Sequence, residues 1–223
     1  MIDLKKILII TGTVTLGILT LASNASSDPL FIVFEKNSSQ QRLFEDTNVP
    51  QETVTVSSSS EGQAKLKDLF NVIGAYSKFE QTIAPDSGII AYGKGQGATA
   101  LLYALDANSL PRLQGLIIDS PSFWPIQQNF EKALRSLPIL FAYDVANPEL
   151  NVRDFYNHVQ ELYQNGFKNL YLLAYSNFQD LKQTIEAFYQ QYGTKPDAAK
   201  SDMGLLNNLH VNTRLLQAPN KVL

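Results

Sequence analysis

The chain has 223 residues, of which 44% are hydrophobic and 17% charged, and a net charge of −3. That length supports one sizeable core, and the mildly acidic balance argues against nucleic-acid binding, which needs a basic patch. With no cysteine in the chain, disulfides, a cysteine nucleophile, a lipid-modified cysteine and cysteine-type zinc sites are excluded.

Residues 1–25 read as a signal peptide. Lys5 and Lys6 form a basic start, Ile7 to Ala22 is apolar, and Ser23-Asn24-Ala25 offers small residues for cleavage. The expected mature start is Ser26, and the expected destination is the periplasm or the medium. The competing reading is an uncleaved anchor. Against it, the apolar stretch is short for a span of about 20 residues and carries Thr11, Thr13, Thr15 and Thr20. The rest divides into a domain over 26–193 and a tail over 194–223. The tail has no clear period and is expected to be docked or partly disordered.

Leu30 to Glu35 is a continuous apolar run, the pattern of a strand covered on both faces. Residues 37–51 read as a loop with a short helix near Gln41 to Glu45. Glu52 to Ser57 is β-branched and reads as a second strand. Ser60 and Gln63 fit a capping box, opening a helix with Leu66, Leu69, Phe70, Ile73 and Tyr76 on its inner face. Gly88 to Tyr92 is the next strand, and Gln96 to Leu105 the next helix. Leu113 to Asp119 is a strand, 129–136 is weakly helical, and Leu137 to Tyr143 is a strand. Asp154 to Gln164 is a helix with Phe155, Val159, Leu162 and Tyr163 inward. Asn169 to Tyr175 is the last strand. Phe178 to Tyr192 is a helix with Leu181, Ile185, Phe188 and Tyr189 inward. The alternation predicts an α/β protein in three layers, a doubly wound, mostly parallel sheet with helices on both faces.

The stretch Ile89-Ile90-Ala91-Tyr92-Gly93-Lys94-Gly95-Gln96-Gly97-Ala98 is a buried strand, a tight glycine turn and a helix start. That is the setting of a G-x-S-x-G nucleophile elbow, with Gly95 in the serine position. A second stretch, Asp119-Ser120-Pro121-Ser122-Phe123-Trp124, follows the next strand. On these two stretches and their order, residues 30–192 resemble the α/β-hydrolase superfamily, nearest its enterochelin esterase-like branch. The sheet is trimmed, because the two leading strands of the superfamily are absent.

The resemblance implies a serine, an acid after strand 137–143, and a histidine after the last strand. Gly95 stands for the serine. Asn147 stands at the acid position, with Asp144 and Glu149 nearby and Asp119 as a further candidate acid. Asn177 stands where the histidine is expected. The two histidines of the chain lie elsewhere, His158 inside a helix and His210 in the tail. A serine attacks only when a base takes its proton and an acid orients that base. The triad therefore reads as dismantled, and the leading expectation is a non-catalytic hydrolase-like protein that binds a partner or small ligand. The alternative is an active esterase or acyl hydrolase whose residues are not yet placed.

Several rival readings share these residues. Gly93-x-Gly95-x-x-Ala98 also fits a dinucleotide fingerprint, with Asp119 as its ribose acid. Against it, two strands precede the motif. The turn amides and Lys94 could bind a carboxylate or phosphate, although a lone lysine is usually just solvated. Lys94, Gly95, Gln96, Ser120, Ser122 and Trp124 are the candidate ligand contacts. Ser120 and Ser122 are ordinary turn residues around Pro121 unless one acts as a nucleophile. Phe123-Trp124-Pro125 lies where such hydrolases place a lid, or packs over the sheet edge. His158, four residues after Asp154, fits a surface helix pair. No metal or cofactor is expected.

Overall fold

The computed structural model describes residues 29–35, 43–44, 49–56, 62–124, 132–148, 150–193 and 203–211. The proposed signal peptide, Ser60, Pro125 and Glu149 lie outside the described residues. So does most of the 41–45 segment, of which Leu43 and Phe44 are described and not helical.

Six strands form one sheet: β1 (Leu30–Glu35), β2 (Gln51–Thr55), β3 (Ile89–Lys94), β4 (Leu113–Asp119), β5 (Ile139–Asp144) and β6 (Leu170–Tyr175). Their order is β2-β1-β3-β4-β5-β6, and every pairing is parallel. Long apolar runs such as LFIVFE in β1 suit a sheet buried on both faces. Alternate residues serve opposite cores. Leu30, Ile32 and Phe34 face one, while Phe31 and Val33 face the other.

The first core is covered by α1 (Gly62–Glu80), α2 (Gln96–Asp106) and α3 (Val152–Gln164). The second is covered by α4 (Phe178–Gly193) and α5 (Met203–Leu209), with Leu43 and Phe44. α3 starts two residues earlier than its periodicity suggests, because Asn151 caps it by accepting from the Asp154 amide. Of the segment expected to be weakly helical, the described part, Lys132–Ser136, is a 3-10 turn.

One expectation needs correction. Phe70 does not face inward, since it is 68% exposed. The buried stripe of α1 is Val72 and Tyr76, flanked by Leu69, Ile73, Ala75 and Phe79. The side chain of Leu66 lies outside the described residues. The tail is docked where it is described: Leu206 enters the second core, and the Val211 amide donates to the Leu170 carbonyl at 2.7 Å.

Candidate functional site

Because all strands run parallel, their C-terminal ends share one edge. Lys94 lies beside Asp119, Asp119 beside Ala142, and Asp144 beside Tyr175. Gly95 sits at this edge, between β3 and α2, with φ 56° and ψ −114°. That conformation favours glycine, and a side-chain-bearing residue pays for it in strain. Space is not the constraint. A Cβ on Gly95 would meet only the Ser122 hydroxyl, at 3.9 Å. Gly93 and Gly97 differ. A Cβ on Gly93 would lie 2.6 Å from the Ala98 nitrogen, and one on Gly97 would overlap the Phe34 carbonyl. Those two glycines let α2 pack against the strands, whereas Gly95 alone is glycine for its backbone angles.

The turn is fastened to the neighbouring strand. The Gly95 amide donates to the Asp119 carbonyl at 2.9 Å, and the Ser122 amide donates to the Gly95 carbonyl at 3.4 Å. The Thr99 hydroxyl joins α2 to the next segment. It donates to the Phe123 carbonyl at 3.2 Å and accepts from the Phe123 amide at 3.1 Å.

Beneath the turn lies a polar cluster absent from the sequence reading. The Asp119 carboxylate is fully buried. It accepts from the hydroxyls of Tyr92 at 2.9 Å, Ser120 at 2.9 Å and Tyr175 at 2.9 Å. The Lys94 ammonium stands 3.9 Å away, its own side chain half exposed. Burial pushes the Asp119 carboxyl above its ordinary range, and Lys94 and the three hydroxyls oppose that shift. Burial likewise raises Tyr92 and Tyr175, with the Asp119 charge adding to it. Both phenols therefore stay protonated and donate.

The other candidates serve local structure. The Ser120 hydroxyl accepts from the Asp144 amide, and Asp144 accepts from the Ala146 amide at 2.8 Å. Asn147 closes the same turn, its amide donating to the Asp144 carbonyl. Asn177 is exposed and caps α4, accepting from the Asp180 amide at 3.0 Å while its own NH2 group bonds the Asp180 carboxylate. Ser122 is exposed beside Gly95. The Gln96 side-chain oxygen is buried with no hydrogen-bond partner among the described residues.

Trp124 is packed over the sheet edge, against Phe141 and Phe155 at 5.6 and 5.7 Å between ring centres. His158 stacks on it at 4.6 Å, with Nδ1 3.4 Å from Glu161. Asp154, expected to pair with His158, bonds the capping Asn151. His210 does fold back, but beside Tyr171. Tyr171 is four residues short of the functional edge of β6, which is about 13 Å along a strand.

No family model matches the sequence, and no curated protein does. Solved structures do match. An esterase 2 from Thermogutta terrifontis superposes with a TM-score of 0.57 at 12% identity, over 76% of this chain and 85% of that one. A phospholipase/carboxylesterase from Dyadobacter fermentans gives 0.53 at 14%, over 69% and 82%. Acyl-protein thioesterase 2 from Zea mays gives 0.51 at 14%, over 74% and 95%. The fold is that of the α/β-hydrolases, and the all-parallel sheet with helices on both faces is the arrangement it shares with these esterases and thioesterases.

Proposed function

We propose that this chain is an α/β-hydrolase-fold protein without acyl-transfer catalysis, which binds a partner or small ligand at the C-terminal edge of its sheet. One observation carries the reading. Gly95 holds the backbone conformation of an elbow nucleophile and has no side chain. Nucleophilic attack needs a hydroxyl, a base and an acid that orients the base. The three positions hold Gly95, Asn177 and Asn147, and both asparagines are occupied in turns or caps. The buried acid nearest the turn, Asp119, is bonded to three hydroxyls instead of to an imidazole.

A ligand at this edge would find the exposed Ser122 hydroxyl, with the half-exposed Lys94 as the adjacent charge. The dinucleotide reading fares worse, because a ribose needs an acid it can reach and Asp119 is closed in. Placement in the enterochelin esterase-like branch rests on the Ser120 to Trp124 stretch alone. Export rests on residues 1–25. No helix among the described residues is long and apolar enough to cross a membrane.

A second reading, an active esterase or acyl hydrolase, is favoured by the comparisons. The matched structures are named as esterases and thioesterases, and by that measure it has more support than the first. Turnover of p-nitrophenyl esters by the pure full chain separates the two. The non-catalytic reading expects no turnover above buffer. Turnover that persists unchanged in Gly95→Ala would place the chemistry elsewhere on the chain and sustain the second reading.

A further inference from the structure

The two edges of the sheet are treated differently. The outer side of β6 is met by the tail, through the Val211 amide and the bridge between Tyr171 and His210. The outer side of β2 has no partner strand among the described residues. An open edge is a template for pairing unless it is blunted by lysine, proline, a bulge or a cover. β2 reads Gln-Glu-Thr-Val-Thr and pairs with β1 at five consecutive positions without a register shift. It carries no lysine, no proline and no bulge; its one charge is the exposed Glu52, and the Leu43 amide bonds the Gln51 side chain at 3.3 Å.

The direction of its amides follows from the ladder. Phe31 donates to the Pro50 carbonyl, and Val56 donates to the Glu35 carbonyl. In a parallel pair such groups alternate, so Pro50, Glu52, Val54 and Val56 face β1. Gln51, Thr53 and Thr55 present their amides and carbonyls outward.

We propose that this edge docks onto β2 of a second copy of the chain, antiparallel and centred on Thr53 across a two-fold axis. In that register Thr53 faces Thr53 of the second copy, and Gln51 faces Thr55. All the outward groups are then used, in about six hydrogen bonds, since each such facing pair exchanges two. Glu52 faces Val54, so the only charged residue of the strand never meets its own copy. A shift centred on Glu52 sets two carboxylates opposite one another, which is disfavoured. A shift centred on Val54 loses bonds. The pairing is self-complementary, as a two-fold interface must be.

Two measurements on the full chain test this. Sedimentation should give a dimer for the wild type, and a monomer for Thr53→Pro at concentrations where the wild type is dimeric. Proline at 53 removes only an outward N–H, so it spares the β1 ladder, and an unchanged circular dichroism spectrum checks that the fold survives. Hydrogen exchange should show the amides of Gln51, Thr53 and Thr55 gaining protection as concentration rises. A dimer that survives Thr53→Pro would overturn the proposal. So would protection of these amides that is independent of concentration, since the chain itself would then cover the edge. A wild type that stays monomeric would overturn it too.

Discussion

The amide of Gly95 donates to the carbonyl of Asp119 at 2.9 Å, so the turn that would carry a nucleophile is bonded to the residue whose carboxylate lies buried below it. That carboxylate is spent on Tyr92, Tyr175 and Ser120. Asp119 thereby holds three strands together at the functional edge, because Tyr92 comes from β3 and Tyr175 from β6.

Replacing Asp119 tests that role. Asp119→Ala strands three buried hydroxyls and should cost about 3 kcal/mol in urea unfolding. The pH dependence has a definite sign. Burial raises the folded pKa above the ordinary 3.8, so the folded state holds the proton more tightly than the unfolded one. The contribution of Asp119 is then largest below 3.8 and declines as pH rises from there towards the folded value. The stability of the wild type relative to Asp119→Asn should fall over that window. A difference that grows with pH would show the carboxylate to be favoured in the fold.

The glycines of the turn should respond in opposite order to their apparent openness to change. Gly95→Ala meets no clash but keeps a strained φ, so a loss of about 1–2 kcal/mol is expected. Gly97→Ala drives a methyl into the Phe34 carbonyl and should cost about 3 kcal/mol or more. Urea midpoints of the two variants check the ranking.

Trp124 is the only tryptophan of the chain, so its fluorescence reports its own surroundings. As a packed side chain rather than a mobile lid, it should emit as a shielded indole in the folded protein. Trp124→Ala should lower stability by about 2–3 kcal/mol, through lost contact with Phe141 and Phe155. A variant as stable as the wild type would mean that the ring does not support the core.

Much of the scaffold was legible because buried parallel strands advertise themselves. LFIVFE, the run into Gly93, ILFAY at 139–143 and LYLLAY at 170–175 are all apolar without alternation. Phe70 misled because it lies at the margin of the expected stripe: Leu69, Ile73 and Tyr76 do face the core, and Val72 takes the place that Phe70 was given. The cluster around Asp119 was not legible. Tyr92 and Tyr175 look like ordinary strand aromatics, and only the sheet order brings both to one acid. Ala142, between Asp119 and β6, is small enough for a tyrosine to reach past. The positions where the resemblance expects a triad could be named from sequence, but the work of Asn147 and Asn177 in a turn and a cap depends on local bonds that spacing does not reveal.

Intact-mass measurement after incubation with a fluorophosphonate distinguishes a catalytic from a non-catalytic edge. A working serine nucleophile gains a phosphonyl group, whatever its natural substrate. An unchanged mass is expected for the wild type, and also for Gly95→Ser, which supplies a hydroxyl but meets no base at 176–178. Stoichiometric addition to the wild type, mapped to Ser122 or to any other serine, would contradict it.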